Sequence, residues 1–337
     1  MKEKNSLALK ASQVKEFIQG RIEEFKSPAA KFRRRRKYGR FFSSFFRYLL
    51  LLGLCFVIIF PTIQQILQAL RAPEDINKPS VVWIPDVWSI ENIKIALIVL
   101  NYWKALANTI KVSLVSMVLQ LVATSLAGYA FARLRFKGSN ILFIGVILTI
   151  IIPPQALSLT RYLYFRNLGL IQKEISLYMM NALGMGIRSG IFIFIFRQFF
   201  RGLPTELEES AQIDGAGVFR TFWSVMLPNA RGALVTVALF SFVWAWNDSY
   251  YVGLLQISTA ELPLLTMRLI NASEGMYAAL SYAGLLHLIG DEVWNNPLFL
   301  QMITNVCALL MMLPLLIGYL FVQRGFVESI ERTGIVG

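Results

Sequence analysis

The sequence predicts an all-α integral membrane protein with six transmembrane helices and both termini in the cytoplasm. Three observations carry this prediction. Of the 337 residues 56% are hydrophobic and only 16% charged; apolar runs of roughly 20 residues, the length that crosses a bilayer, recur along the chain; and Lys and Arg gather in alternate connecting segments. A soluble globular chain does not combine these features.

The six runs are placed at about residues 48–70, 105–132, 140–159, 175–196, 230–250 and 298–322. The third contains Pro153-Pro154, which breaks the helix because proline lacks an N–H and clashes with the preceding turn. Backbone freed at such depth needs protein or water partners. The fourth holds Gly184, Gly186 and Gly190, small enough for a neighbouring helix to come close.

Orientation follows from the flanking charges. The N-terminal block, "RLRFK" at 133–137, the segment with Arg197, Arg201, Arg220 and Arg231, and the tail with Arg324 and Arg332 are separated by pairs of spans. They share one face, which the positive-inside rule assigns to the cytoplasm. The opposite loops are balanced or acidic: Glu74, Asp75, Asp86 and Glu91 offset Lys78 and Lys94, and Glu261, Glu274, Asp291 and Glu292 outweigh Arg268.

Two parts follow: a basic cytoplasmic extension over 1–45 and a transmembrane domain over 46–337. Met1 to Arg47 holds fourteen Lys and Arg against four Glu, most of the net charge of +13. A basic block just before an apolar run holds the N-terminus inside and lies against anionic lipid. No aromatic stacking platform accompanies it, so nucleic acid is not the expected partner. Within the extension, Leu7, Val14, Ile18, Ile22 and Phe25 recur at mostly helical spacing, as in an amphipathic surface helix or a partly disordered arm. The polar start and the long first apolar run do not read as a cleavable signal peptide. Cys55 and Cys307 both lie in apolar runs and read as packing residues rather than a disulfide.

The polar segment between the fourth and fifth spans carries the functional signal. In "PTELEESAQIDGAGVFRTFWSVMLP", residues 204–228, Thr205 and Glu208 have capping-box spacing and predict a short helix after Pro204. Leu207, Ser210 and Ala211 fall on one face of it, with Glu206 and Glu209 beside them. Gly215 allows a turn, and Val218, Phe219, Phe222, Trp223 and Met226 form one helical stripe up to Pro228. The outcome is a helix-turn-helix on the cytoplasmic face; a solvated loop hugging the membrane is the alternative.

Glu209-Ser210-Ala211, Gly215 six residues after the glutamate, and Val225-Met226-Leu227-Pro228 beyond it resemble the EAA loop of the membrane subunits of bacterial ATP-binding-cassette importers. The sequence departs from E-A-A-x3-G-x9-I-x-L-P at Ser210 and Val225. "FVWAWND" at 242–248 and the tail "GFVESIERTGIVG" are similar to the MalG-type subunit of carbohydrate importers, and the resemblance covers about Tyr48 to Gly337. It implies that a cytoplasmic coupling helix between spans four and five docks on an ATPase subunit. Glu209 would form the ion pair, Ala211 the close contact and Gly215 the turn, with Ser210 and Asp214 in the same coupling set and Leu227-Pro228 leading into the fifth span. It also implies a second permease chain as heterodimer partner, two copies of the ATPase and an external substrate-binding protein.

The chain itself is not expected to be an enzyme. No Gly-Lys dipeptide occurs, so the phosphate-binding G-x4-G-K-[ST] loop is missing, and ATP with its magnesium belongs to the partner. The one histidine, His287, has no ligand set or nucleophile near it, so no metal, cofactor or catalytic site is expected.

For the transport path, Trp244, Asn247, Asp248 and Tyr251 are spaced i, i+3, i+4 and i+7 and would share a helix face. Aromatic rings beside amide and carboxylate groups suit sugars; an interfacial aromatic belt is the competing reading. The loop after the fifth span is longer than the MalG-like pattern, and "MYAALSYAGLLHLI" within it would form a re-entrant or interfacial helix. Permeases for peptides, amino acids or phosphonates share the EAA spacing. A channel or secondary transporter would instead show inverted repeats or intramembrane charge relays.

Overall fold

The computed structural model describes residues 28–72, 75, 84–258, 260–288 and 296–334. The amphipathic segment expected near residues 7–25 lies outside the described residues, as do Glu74, Lys78, Asp291 and Glu292. The chain divides into two compact units, Met1–Gln64 and Gln65–Gly337. Apart from a single bridge between Arg71 and Trp88, the described residues hold no β structure.

The basic block and the first apolar run lie on one helix, α1, described over Pro28–Ala69. From Phe41 to Ile59 its large apolar side chains are exposed, as hydrocarbon rather than water would accept.

The second unit continues with α2 (Glu91–Val99), α3 (Tyr102–Arg133), α4 (Ser139–Ile151), α5 (Ser158–Asn167), α6 (Ile175–Ala182) and α7 (Ser189–Gly202). Beyond these come α8 (Glu206–Ile213), α9 (Val218–Thr221), a π-helical turn over Phe222–Met226, α10 (Leu227–Asn229) and α11 (Arg231–Trp246). The last elements are α12 (Tyr250–Leu254), α13 (Leu265–Ile270), α14 (Ala272–Tyr282) and α15 (Pro297–Gly334). Three helical stretches, Gly39–Ala69, Tyr102–Arg133 and Pro297–Gly325, are long and apolar enough to cross a membrane, and up to five if two bent pairs each count as one span.

The expected third, fourth and fifth spans are interrupted. The third ends at Ile151, and after Pro153-Pro154 the chain continues bent by 107°, the break that the two prolines impose. The fourth is split at 183–188, where Gly184 and Arg188 take left-handed conformations with φ of 67° and 60°. The fifth stops at Trp246 rather than near Tyr250. Over the last loop the helix expected at 276–289 runs instead as α14 and ends at Tyr282, ahead of a left-handed Gly284 and a 3₁₀ turn at Leu286–Leu288; α14 buries Met276 and Leu280 in a core shared with α2 and α15.

Helix α3 organises the bundle, packing along α7 and α11 and against α6. Its inner face is a stripe of small and polar residues, Thr109, Ser113, Ser116, Gln120, Thr124 and Gly128, all buried. They recur every three or four positions, so they line one side of the helix. A Cβ on Gly128 would lie 2.4 Å from Phe196 Cβ and 3.0 Å from the Arg197 nitrogen, so α3 and α7 touch backbone to backbone, as small residues permit. At mid-stripe Gln120, 1% exposed, donates to the Ile187 carbonyl at 2.8 Å and to Ser189 Oγ at 2.7 Å, and accepts from the Ser241 hydroxyl at 2.5 Å. One side chain therefore ties α3 to the break before α7 and to α11.

Replacing Gln120 by Leu keeps similar bulk but leaves the Ile187 carbonyl and two hydroxyls without this partner. Unsatisfied buried groups cost about 1–3 kcal/mol each. Gln120→Leu is expected to lower the thermal unfolding midpoint of the detergent-purified chain well below that of Val122→Leu, a change on the same helix but outside the network.

Candidate functional site

The segment between α7 and α11 leaves the bundle, turns and returns. Helix α8 forms where the capping box was expected, but by backbone bonds: Thr205 makes no side-chain cap, and its carbonyl accepts from the Glu208 and Glu209 nitrogens at 3.0 and 3.1 Å. Glu208 is drawn elsewhere. Its Oε1 lies 3.8 Å from Arg133 Nε, with both side chains largely buried. An ion pair at the end of α3 outcompetes a cap that would serve only one helix turn.

Arg133 does more than pair with Glu208. Its Nε donates to the Phe200 carbonyl at 3.0 Å and another guanidinium nitrogen donates to the Leu203 carbonyl. These carbonyls lie at the C-terminal end of α7 and its cap, where backbone donors run out; Phe200 also accepts from the Leu203 nitrogen at 3.3 Å. One guanidinium thus fixes where α7 ends and where α8 begins.

The expected site residues divide between outside and inside. Glu209, Ser210, Asp214 and Gly215 are exposed. Ala211 is not: at 7% exposure it packs within the chain, because i+3 from Glu208 carries it onto the face that meets the π-helical turn. Gly215 has φ +78° with open space around its α-carbon, so the turn requires its conformational freedom rather than its small size. The stripe expected over Val218 to Met226 also divides. Phe222 and Met226 are buried with Phe196 and Phe200, whereas Val218, Phe219 and Trp223 are exposed. With Ile213, 87% exposed, these three give the segment an apolar outer surface beside Glu209. Asn229 Nδ2 bonds the Val225 carbonyl at 2.7 Å next to Pro228, and at Ala230 the chain bends by 83° into α11.

The four candidate path residues do not share a face. The i, i+3, i+4, i+7 spacing assumed one helix, but α11 ends at Trp246 and α12 begins at Tyr250. Trp244 and Asn247 stay exposed, and the Trp244 ring lies under the Arg188 guanidinium, 4.8 Å from centroid to charge. Asp248 turns back to accept from the Tyr251 nitrogen at 2.9 Å, starting α12 as a short polar side chain at a helix entry commonly does. Tyr251 is buried, with Arg161 bonded to its hydroxyl and stacked on its ring. Asp248 and Tyr251 also line a narrow cavity of mixed character, in which Thr109, Ser113, Ser116, Asn181 and Thr266 stand among apolar residues such as Leu177, Met180 and Leu264. Of its lining residues, Ser113 Oγ and Trp246 Nε1 are buried without a hydrogen-bond partner among the described residues.

Residues 121–332, from mid-α3 through the whole outward segment to α15, match the family described as binding-protein-dependent transport system inner membrane component. The chain belongs to that family. It is 26% identical over 307 residues to the diacetylchitobiose uptake system permease protein DasC of Streptomyces coelicolor, covering 90% of this chain and 100% of that protein. It is 27% identical over 288 residues to the arabinooligosaccharides transport system permease protein AraQ of Halalkalibacterium halodurans, covering 84% and 93%. Among solved structures, a bacterial ABC transporter involved in alginate import matches with a TM-score of 0.66 at 20% identity, over 85% of this chain and 96% of that one. The fold is therefore shared with an importer. As an inner membrane component, the chain is a multi-pass permease subunit of the bacterial plasma membrane.

Three parts of this inner membrane component were not singled out from its sequence. Arg133 was counted only as a topogenic charge, and Gln120 sat unnoticed inside an apolar run. Ile213 was hidden because the helix face that α8 buries depends on the Arg133 contact. The usable signal for Gln120 was its polarity at span depth, which is costly unless paired.

Arg133→Gln removes the contact to Glu208 and one of the two carbonyl bonds while leaving the spans intact. Limited proteolysis of the detergent-purified chain is expected to cut residues 203–217 several-fold faster in this variant, with no change in cutting at 255–262.

Proposed function

We propose that this inner membrane component is one permease of a carbohydrate importer: six spans, termini in the cytoplasm, and α8 to α10 as the cytoplasmic coupling segment. The observation that carries the reading is the outward segment itself. Glu209 and Ser210 on α8 and Asp214 and Gly215 after it are exposed, as are Ile213, Val218, Phe219 and Trp223, and the segment is tied to α3 by Arg133. An exposed apolar surface with a central acid is suited to a protein partner carrying a basic residue. A cytoplasmic ATPase, which would use ATP and magnesium, is the partner that fits.

In the six-span arrangement α6 and α7 together supply the fourth crossing, and α4 with the turn after it the third. The 83° bend at Ala230 separates the coupling segment from the fifth crossing, with Leu227-Pro228 leading into it. The complex would contain a second permease, two ATPase copies and an external binding protein. Oligosaccharide cargo is supported by DasC and AraQ, which are named for diacetylchitobiose and arabinooligosaccharides, and by an exposed Trp244 beside Asn247, a surface suited to sugar rings. Asp248 and Tyr251 would shape the path from behind.

Glu209→Lys reverses the charge at the docking face without touching a span. Membrane insertion should be normal, while ATPase co-purification and saccharide uptake fall at least tenfold. Normal uptake by Glu209→Lys would overturn the assignment.

A further inference from the structure

A cation stands exposed at the depth where the bundle is otherwise most carefully paired. Arg188 lies nine residues before Arg197 along α7, about 14 Å at a helical rise of about 1.5 Å per residue. Ser241 lies ten residues after Arg231 and Gln120 thirteen before Arg133, so the Gln120, Ser189 and Ser241 junction sits about 15–20 Å from the arginine-rich end. Half of a hydrocarbon core is about 15 Å. Arg188 is adjacent to this junction in sequence and at its level.

An arginine facing hydrocarbon there is costly, and intramembrane charges face a protein partner or a water-filled path. Among the described residues no carboxylate lies within ion-pair distance of Arg188. Its guanidinium rests on the exposed Trp244 ring, and Asn247 is exposed less than one turn further along the chain. The backbone also singles it out: Arg188 has φ 60° and ψ 14°, the left-handed region that side chains other than Gly and Asn seldom enter.

We propose that Arg188 and Trp244 form a recognition point in the transport path for saccharides bearing an anionic group, a carboxylate or a sulfate. This inference rests on the carbohydrate-importer reading. The planar guanidinium presents paired donors that match a carboxylate or sulfate, and the part of the exposed Trp244 indole that the guanidinium leaves uncovered offers aromatic surface to the adjoining sugar ring. The contact with the Trp244 ring holds the guanidinium carbon 4.8 Å above its centroid. A neutral sugar would gain nothing from a charge at this depth that an amide could not supply.

The test uses the complete importer in proteoliposomes, with binding protein inside the assay, and matched tri- to pentasaccharides that are neutral, uronate-bearing or sulfated. Wild type should take up charged members in preference to neutral ones, the uronate and sulfate arms showing which anion is read. Arg188→Gln should reduce the charged-to-neutral uptake ratio at least tenfold, Arg188→Lys less, and both variants should co-purify with the second permease. If wild type prefers neutral saccharides and Arg188→Gln keeps that preference, the inference fails alone. Loss of the second permease from Arg188→Gln would also overturn it, by assigning the charge to a subunit contact. If no saccharide of any class enters, the importer reading fails, and this inference with it.

Discussion

Backbone groups inside a bilayer have no water to turn to, and this constraint governs the molecule. The chain breaks its helices at 152–157 and 183–188, so carbonyls and amides there need partners from elsewhere. Gln120 provides one such partnership, joining the Ile187 carbonyl, Ser189 and Ser241 through a single buried amide. The stripe of small residues on α3 is what lets α7 and α11 approach closely enough for that amide to reach both. Close packing and polar satisfaction are therefore one arrangement, since either without the other would leave a void or an orphaned dipole.

The same helix ends in the second anchor. Arg133 bonds the last carbonyls of α7 and faces Glu208 of α8, while Tyr129, one turn earlier, packs against Phe200 and Phe222 on the two sides of the outward segment. A displacement of α8 is thus resisted by α3 directly rather than through a flexible loop. The π-helical turn over Phe222–Met226 and the bend at Ala230 carry the chain back to α11, and α11 also meets α3 at Ser241. Force applied to the outward segment reaches the mid-bundle by two routes that converge on α3. In the proposed function, these two routes would carry a partner's hydrolysis into helix movement.

Much of this was legible in the sequence, and for physical reasons. Apolar length located the three helices that could cross unbroken, the proline pair located one break, and the Glu209 to Pro228 spacing located the outward segment. The rest depends on contacts across the fold. Whether Ala211 faces out or in is decided by Arg133, 78 positions away in the chain, and no local pattern encodes it. The i, i+4 logic for Trp244 to Tyr251 failed because it assumed a continuous helix, while Asp248 turns to start α12 and Tyr251 is held by Arg161. Helical spacing predicts shared faces only as far as the helix runs.

The central claim is that α8 faces the cytoplasm and is covered there by an ATPase. A single cysteine at Ser210, in a chain whose Cys55 and Cys307 are replaced by Ala, tests it directly with a membrane-impermeant maleimide. Inverted vesicles stripped of the ATPase should label rapidly, intact cells should not, and adding the ATPase back should suppress labelling at least tenfold. Labelling in intact cells, or labelling that the ATPase leaves unchanged, would contradict the account.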